Sequence, residues 1–330
     1  MIKVLQIGFG PLGVQIAKFI ANKSTIKTVA VVDNNLDLYN RKINEISSEL
    51  DDNIYISNSI NEALLDISEK PDVAIITTVS SLKQIYNQIE EVVKHNINVI
   101  STCEELSYPW KTDPILSERL NHICKQNNVA CLGTGVNPGF LMDYLPSVLS
   151  TVCNKINKIK ICRVQDASSR RISFQKKIGA GLSLNEFKNK QNEGTLRHVG
   201  LTESLHLLAN SVNFTLDKVT ETLNPVICES DLNGSINIKK GEARGVEQVA
   251  CGYLNNEVVI EMQFKAAIGE ARSFDKIEVD GIPSFVSEIE GGINGDIATC
   301  SIAINSVKSI LKANPGFHTM SDIVVPGYIN

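Results

Sequence analysis

Residues 1–21 read MIKVLQIGFGPLGVQIAKFIA, and residues 28–35 read TVAVVDNN. The apolar run Val4–Ile7 predicts a short buried strand. Leu12, Ile16, Phe19 and Ile20 recur at helical spacing, so Pro11–Ile20 predicts a helix. Between them stands Gly8-Phe9-Gly10-Pro11-Leu12-Gly13, a G-x-G-x-x-G turn. A second strand, the β-branched Thr28–Val32, ends in Asp33, 20 residues past Gly13. Strand, glycine turn, helix, strand and acid in this order form the fingerprint of a dinucleotide-binding βαβ unit. Gly8 allows the tight turn, Gly10 lets backbone approach a pyrophosphate, and Gly13 lets the helix lie close to the strand. The helix N-terminus offers N–H groups and a positive dipole end to the phosphates. The expected cofactor-binding residues are therefore Gly8, Phe9, Gly10, Pro11, Leu12, Gly13 and Asp33. Asp33 suits the ribose hydroxyls of NAD and repels a 2′-phosphate. Arg41 and Lys42 further on soften that preference, so NADP stays as a second option.

Working outward, residues up to about 135 continue to alternate strand and helix signals. Short strands are expected at 54–56, 73–77, 98–101 and 129–132, the last closing the series. Such alternation predicts a parallel sheet covered on both faces, a Rossmann-type α/β domain. After Pro138 the pattern changes. Longer alternating strands are expected at 158–165, 221–230, 244–254, 257–268 and 275–280, with a hairpin turning at Asn255-Asn256 and one helical stretch near 196–212. This is an α+β second domain with a mostly antiparallel sheet. Residues 295–312 read as a helix ended by Asn314-Pro315-Gly316. The expected division is 1–140 as the dinucleotide-binding domain, with 295–330 packing back onto it, and 141–294 for substrate and dimerisation.

Ligands of an open parallel sheet sit beyond the carboxyl ends of its strands. Thr77 and Thr78 follow the fourth strand and should line the cofactor. The fifth strand runs into Ser101-Thr102-Cys103-Glu104-Glu105, with two acids suited to general base work. Ser101-x-x-Glu104 and Thr102-x-x-Glu105 also match a capping box, a purely structural use of the same residues. The sixth strand leads into Gly133-Thr134-Gly135-Val136-Asn137-Pro138-Gly139-Phe140. There Asn137 suits a helix N-cap and Pro138 a first helical position, and the glycines suggest close approach to nicotinamide or to a packed neighbour. Asp166-Ala-Ser-Ser-Arg170-Arg171 ends a strand, and its arginines could clamp a carboxylate or lie solvated on the surface. His198 and His206 are isolated, which fits surface or packed helical histidines.

Composition narrows the function classes. Of 330 residues, 43% are hydrophobic and 21% charged, ordinary globular usage for about two domains. The net charge of −5, with both signs interspersed, argues against nucleic-acid and polybasic membrane roles. No apolar run approaches the roughly 18 residues of a membrane span. The start enters a strand without a signal peptide, so a cytoplasmic location is expected. The eight cysteines form no C-x-x-C pair and have no histidine cluster beside them, which fits free thiols in a reducing compartment and no metal site. Long strands with one face to cover and few helices to cover it suggest a homodimer.

Several segments together resemble one enzyme family. STCEEL (101–106), GTGVNPGFLMDYLP (133–146), DASSRRISFQKKIGAG (166–181) with its following Glu186-Phe187, RHVGLTES (197–204) and GGINGDIATCSIAINSV with LKANPGFHTMSDI (291–323) are similar to 2,4-diaminopentanoate dehydrogenases and the native amine dehydrogenases. More distantly, the N-terminal part resembles dihydrodipicolinate reductase, but the His- and Lys-containing catalytic segment of that enzyme is not found. The resemblance covers essentially the whole chain. It implies an oxidoreductase acting on CH–NH2 donors with NAD or NADP. Hydride would leave C4 of 2,4-diaminopentanoate, and hydrolysis of the imine would release ammonia and 2-amino-4-oxopentanoate, a step of ornithine fermentation. The resemblance implies that the acid of the C-E-E-L segment, Glu104, handles the amine, with Cys103 beside the cofactor. It implies a substrate side formed by Asn137, Phe140, Asp166, Arg170, Arg171 and His198. Two other readings stay open: a broader amine dehydrogenase acting on small ketones and ammonia, and a dinucleotide-binding sensor without turnover.

Overall fold

The computed structural model describes residues 1–51, 53–196 and 199–330. They form two compact units, Met1–Phe140 with Asn294–Asn330, and Leu141–Ile293.

The first unit begins with six strands: β1 (Ile2–Ile7), β2 (Ile26–Val32), β3 (Ile56–Ser57), β4 (Val73–Ile76), β5 (Asn98–Ser101) and β6 (Ala130–Gly133). All their pairings are parallel. Every residue of β4 and β6 is buried, as expected of strands covered on both faces. Helices connect them, and each has a local cause. Helix Leu82–Lys94 buries Leu82, Ile85, Ile89, Val92 and Val93 along one stripe. Helix Pro114–Gln126 starts with Pro114 at its first turn and Asp113 accepting from the Leu116 amide at 3.1 Å. Helix Pro11–Ala21 can lie against β1 only because residue 13 is glycine: a Cβ there would stand 2.0 Å from the Gly8 carbonyl oxygen.

The second unit carries β7 (Lys155–Asp166), β8 (Lys218–Ile227), β9 (Ala243–Leu254), β10 (Glu257–Ala267), β11 (Phe274–Ile282) and β12 (Phe285–Glu290), ordered β12-β11-β7-β10-β9-β8. Only β7 and β10 run parallel. The hairpin turn falls at Asn255 and Asn256, both with positive φ (53° and 66°), the conformation of a type I′ turn. One sheet face buries Ile159, Ile161, Ala250, Met262 and Phe264 in a core shared with Leu201, Leu205 and Leu208 of helix Leu201–Ser211. Three short helices, Tyr144–Ser150, Ile172–Lys177 and Leu184–Asn192, were not anticipated in the sequence. Elements of six to nine residues show too little periodicity to read, and packing and caps hold them. Ser183 and Glu186, for example, close a capping box. Strand β12 was also missed.

A buried ion pair braces this unit where it ends. Arg163 on β7 pairs with Asp275 on β11, and both are nearly inaccessible. Arg163 Nη2 also donates to the Ile293 carbonyl at 2.8 Å, and the Ile293 amide donates to Asp275 Oδ2 at 2.8 Å. Burial pulls the Arg163 pKa down, and the Asp275 carboxylate opposes that shift.

The C-terminal segment belongs to the first unit. The stretch expected as one helix is two, Gly295–Asn305 and Val307–Ile310, and Asn294 caps the first by accepting from Asp296 and Ile297 amides at 3.1 Å. Beyond Pro315, β13 (Gly316–His318) pairs in parallel with β6. The sheet therefore has seven strands, ordered β13-β6-β5-β4-β1-β2-β3, and β6 does not close it. A three-residue strand behind Asn-Pro-Gly carries a turn signature, which hid it.

Candidate active site

At the carboxyl ends of β1, β4, β5 and β6 the first unit is tied across by backbone hydrogen bonds. The Thr77 amide donates to Ile7, Thr102 to Ile76, and Thr134 to Ser101, at 2.8, 3.1 and 2.9 Å. The functional candidates stand on this rim.

The glycine turn leads it. Gly8 has φ +92°, where a side chain would also meet Thr77 and Thr78. Its amide donates to the Val32 carbonyl at 2.8 Å, which joins the turn to β2. A Cβ on Gly10 would meet nothing within 4 Å, so this side of the loop is open to an approaching ligand. Gly10 N-caps helix Pro11–Ala21 without any side-chain cap, and the first turn carries no acid. The positive helix end is thus uncompensated, which fits an anionic pyrophosphate. Asp33 stands beside the loop. Its Oδ2 accepts from the Phe9 amide at 2.5 Å and its Oδ1 from the Asn35 amide at 2.8 Å. Phe9 itself turns its ring into the core with Ala17, Val31, Ile43 and Ile56, so it can serve a dinucleotide only through backbone. Leu12 accepts the Cys300 thiol at its carbonyl, 3.7 Å away, and Pro11 is exposed. Thr77 Oγ1 donates to the Gly8 carbonyl at 3.1 Å, and Thr78 Oγ1 to Gln88 at 2.8 Å.

The two acids after β5 separate by environment. Glu105 Oε2 accepts from the Leu82 amide at 2.8 Å, capping the helix whose own Ser81 makes no side-chain cap. The N-cap of the segment that follows is Cys103, not Ser101 or Thr102, and it makes no side-chain cap. Ser101 Oγ instead accepts from the Cys103 amide at 3.1 Å, and the segment Glu104–Ser107 is one 3-10 turn. Glu104 is half-buried at its start. Cys103 is buried, and burial, followed by the neighbouring Glu104 charge, pushes its thiol well above the usual range. It is therefore a neutral packing residue at physiological pH.

The turn after β6 is packed tightly on itself. A Cβ on Gly133 would stand 2.3 Å from the Leu106 carbonyl oxygen, and one on Gly139, at φ +117°, 2.5 Å from the Gly135 nitrogen. The Val136 amide donates to Thr299 Oγ1 at 3.3 Å. Asn137 does not cap a helix as its sequence suggests: the next helix starts at Tyr144, capped by Asp143. Both amide atoms of Asn137 are buried and have no hydrogen-bond partner among the described residues. Phe140 is half-buried at the end of the unit.

In the second unit, Asp166 organises a turn. Its Oδ1 accepts from the Ser168 amide and hydroxyl and from the Gly269 amide, at 3.1, 2.6 and 3.0 Å. Arg170 donates to Gln165 at 3.2 Å and lies 4.2 Å over the Phe174 ring. Arg171 is exposed at the N-cap of helix Ile172–Lys177. Gln175 was not singled out in the sequence. Its buried Nε2 faces the carbonyls of Ala167, Ser168 and Arg170 at 3.0, 3.1 and 3.0 Å, gathering the loop that carries Arg170. His198 lies outside the described residues. Among the described residues no group of three or more His, Cys, Asp or Glu comes together as a metal site, and no helix is long and apolar enough to cross a membrane. All eight cysteines are free thiols.

Comparison with known proteins adds the chemistry that geometry leaves open. The family model of the 2,4-diaminopentanoate dehydrogenase C-terminal domain matches residues 140–330. A 2,4-diaminopentanoate dehydrogenase from Acetoanaerobium sticklandii is 30% identical over 98% of this chain and 94% of its own. Among solved structures, an amine dehydrogenase from Mycobacterium smegmatis aligns at TM-score 0.87 and 17% identity, covering 99% of this chain and 97% of its own. A dihydrodipicolinate reductase from Paenisporosarcina sp. TG-14 aligns at TM-score 0.53 and 14% identity, covering 98% and 100%. Those two likenesses establish a shared fold. The family match and the curated relative together decide membership: this chain belongs to the 2,4-diaminopentanoate dehydrogenase family.

Proposed function

We propose that this chain is an NAD-dependent amine dehydrogenase that oxidatively deaminates 2,4-diaminopentanoate at C4, giving 2-amino-4-oxopentanoate and ammonia. The observation that carries the reading is the placement of the two acids. Glu105 is committed to a helix end, and Glu104 stands on the rim of strand ends that also carries the open glycine turn. The turn residues Gly8–Gly13 and the Pro11–Ala21 helix end fit a dinucleotide pyrophosphate, and Asp33 fits its ribose hydroxyls, favouring NAD over NADP. When bound, the nicotinamide supplies the acceptor for the hydride that leaves C4.

The protein's own groups manage protons and position. An ammonium cannot release hydride from its carbon until the nitrogen lone pair is free. Glu104 takes that proton and releases it to solvent; as a carboxylate again it faces the cationic imine, then accepts a proton from the attacking water and returns it to the nitrogen that leaves as ammonia. Arg170 or Arg171 holds the substrate carboxylate, with a guanidinium fork matching two oxygens. Phe140, Asp166 and His198 complete the substrate side, Asp166 through the turn it organises. The enzyme works as a homodimer in the cytoplasm.

The direct test follows absorbance at the reduced-nicotinamide band with NAD and 2,4-diaminopentanoate, alanine, lysine or simple amines. Turnover with the diamino acid well above all others is expected. Equal turnover with simple amines would replace this reading by a broader amine dehydrogenase. No amine-dependent reduction of NAD would leave a dinucleotide-binding sensor.

A further inference from the structure

We infer that Asn137 reads the carboxamide of the nicotinamide ring, through paired hydrogen bonds from its own side-chain amide. The inference rests on the proposed nicotinamide cofactor and assigns Asn137 to that cofactor, not to the amine substrate.

Buried polar atoms in folded proteins are almost always hydrogen-bonded, because desolvation without a partner is costly. Asn137 leaves both Oδ1 and Nδ2 buried and unpartnered among the described residues. Loss of one bond could reflect imperfect packing. Loss of both halves of one amide points to a partner that donates and accepts along a single edge. A primary carboxamide is such a partner, because it is self-complementary: each C=O accepts from the other's N–H. An ammonium only donates and a carboxylate only accepts; the α-amino-acid end of the substrate carries both, but on separate tetrahedral and planar groups rather than along the single planar edge that a carboxamide offers.

The surroundings hold the amide in place. Gly135 and Gly139 let the turn fold on itself, and Gly133 lets it lie against Leu106, at distances that a Cβ would prevent. Thr299 fixes the Val136 amide, and the next residue on the same helix, Cys300, reaches the Leu12 carbonyl in the glycine turn. One helix thus touches both the Asn137 turn and the turn proposed to hold the pyrophosphate. Laterally, the Thr134 amide bonds the Ser101 carbonyl, so the Asn137 turn follows the strand next to β5, whose C-terminal end leads into Glu104.

The experiment measures dissociation constants of NADH, ADP-ribose and reduced 3-acetylpyridine adenine dinucleotide for the wild type, Asn137→Leu and Asn137→Ala. The acetylpyridine analogue keeps the carbonyl and replaces the NH2 by a methyl group. ADP-ribose has no nicotinamide and reports the rest of the cradle. The wild type should prefer NADH to the analogue. Both variants should bind NADH about tenfold more weakly, the scale of one to two lost hydrogen bonds. They should bind ADP-ribose unchanged and lose the preference for NADH over the analogue. Unchanged NADH binding in the variants overturns the inference, as does an equal loss for NADH and ADP-ribose in both. A rise confined to the KM of the amine would assign Asn137 to substrate and also overturn it. Failure of the wild type to bind NADH at all would instead remove the cofactor reading on which it rests.

Discussion

Glu105 gives its carboxylate to the Leu82 amide, and Glu104, one residue earlier, heads the 3-10 turn beside the strand ends. Glu104→Gln keeps the shape and removes the base. It should lower amine oxidation by about 10²-fold or more, the usual scale for a positioned acid–base group, with NADH binding by fluorescence intact. Glu105→Ala should behave oppositely, losing about 1 kcal/mol of stability in denaturant melts as a lost cap does, with turnover of the folded enzyme changed far less. A Glu104 variant with near-normal turnover would make Glu105 the next candidate base. The sequence could not separate these acids, because both sat at capping spacing and the helix that Glu105 caps begins 23 residues before it. Asp33, by contrast, follows β2 directly, and its place beside the glycine turn agrees with its spacing in the sequence. Its position 2.5 Å from the Phe9 amide puts a carboxylate against the glycine turn, where a 2′-phosphate would be repelled. Asp33→Ser should narrow the ratio of kcat/KM for NAD over NADP. A wild type that prefers NADP would sink the ribose assignment.

Elements whose causes are local read correctly from sequence, and elements held by distant partners did not. The glycine turn, the β-branched strands and the Asn255-Asn256 hairpin carry their geometry in neighbouring residues. The loop 166–171 is different. It is held by Asp166 reaching the Gly269 amide and by Gln175 gathering three carbonyls, contacts that no local pattern announces. Asn137-Pro138 misled for the same reason: Asn before Pro favours a helix start whether or not a helix follows, and here none starts before Tyr144. The Arg170 loop is where a carboxylate anchor can be tested. Arg170→Met and Arg171→Met, made separately, should show which arginine holds the substrate, at a cost of about 1.5–3 kcal/mol per charged hydrogen bond. The loss in kcat/KM should appear with 2,4-diaminopentanoate and be small with an amine lacking a carboxylate. Equal losses on both substrates would mean a structural role, which Arg170's contacts with Gln165 and Phe174 would then explain. No loss in either variant would move the anchor to Lys176 or Lys177.

At the scale of the whole molecule, the second unit's sheet buries one face under helices and turns the other outward. Alternation along β7 and β10 puts Lys158, Lys160, Cys162, Glu261 and Gln263 on that outer face, partly exposed. Glu261 pairs there with Lys158 at 2.7 Å and Lys160 at 3.1 Å. A sheet face of this kind, with Glu261 held between two lysines, offers a surface that a second copy of the chain can meet about a two-fold axis. Light scattering should therefore give twice the 36.1 kDa chain mass at micromolar concentration. Glu261→Lys would set three lysines together and should shift the mass toward the monomer. The pH dependence has a definite sign. The hydrogen bond from Lys158 holds the Glu261 carboxyl below its ordinary value, with Lys160 adding to the effect against some desolvation. A carboxyl with a depressed folded-state pKa contributes stability that is full above its unfolded value, about 4.3, and is lost as pH falls through the lower folded value. Wild-type melting temperature should accordingly exceed that of Glu261→Gln at pH 7, and the two should converge in acid. A monomer mass across a wide concentration range at neutral pH would rule the dimer out and leave this face simply solvated.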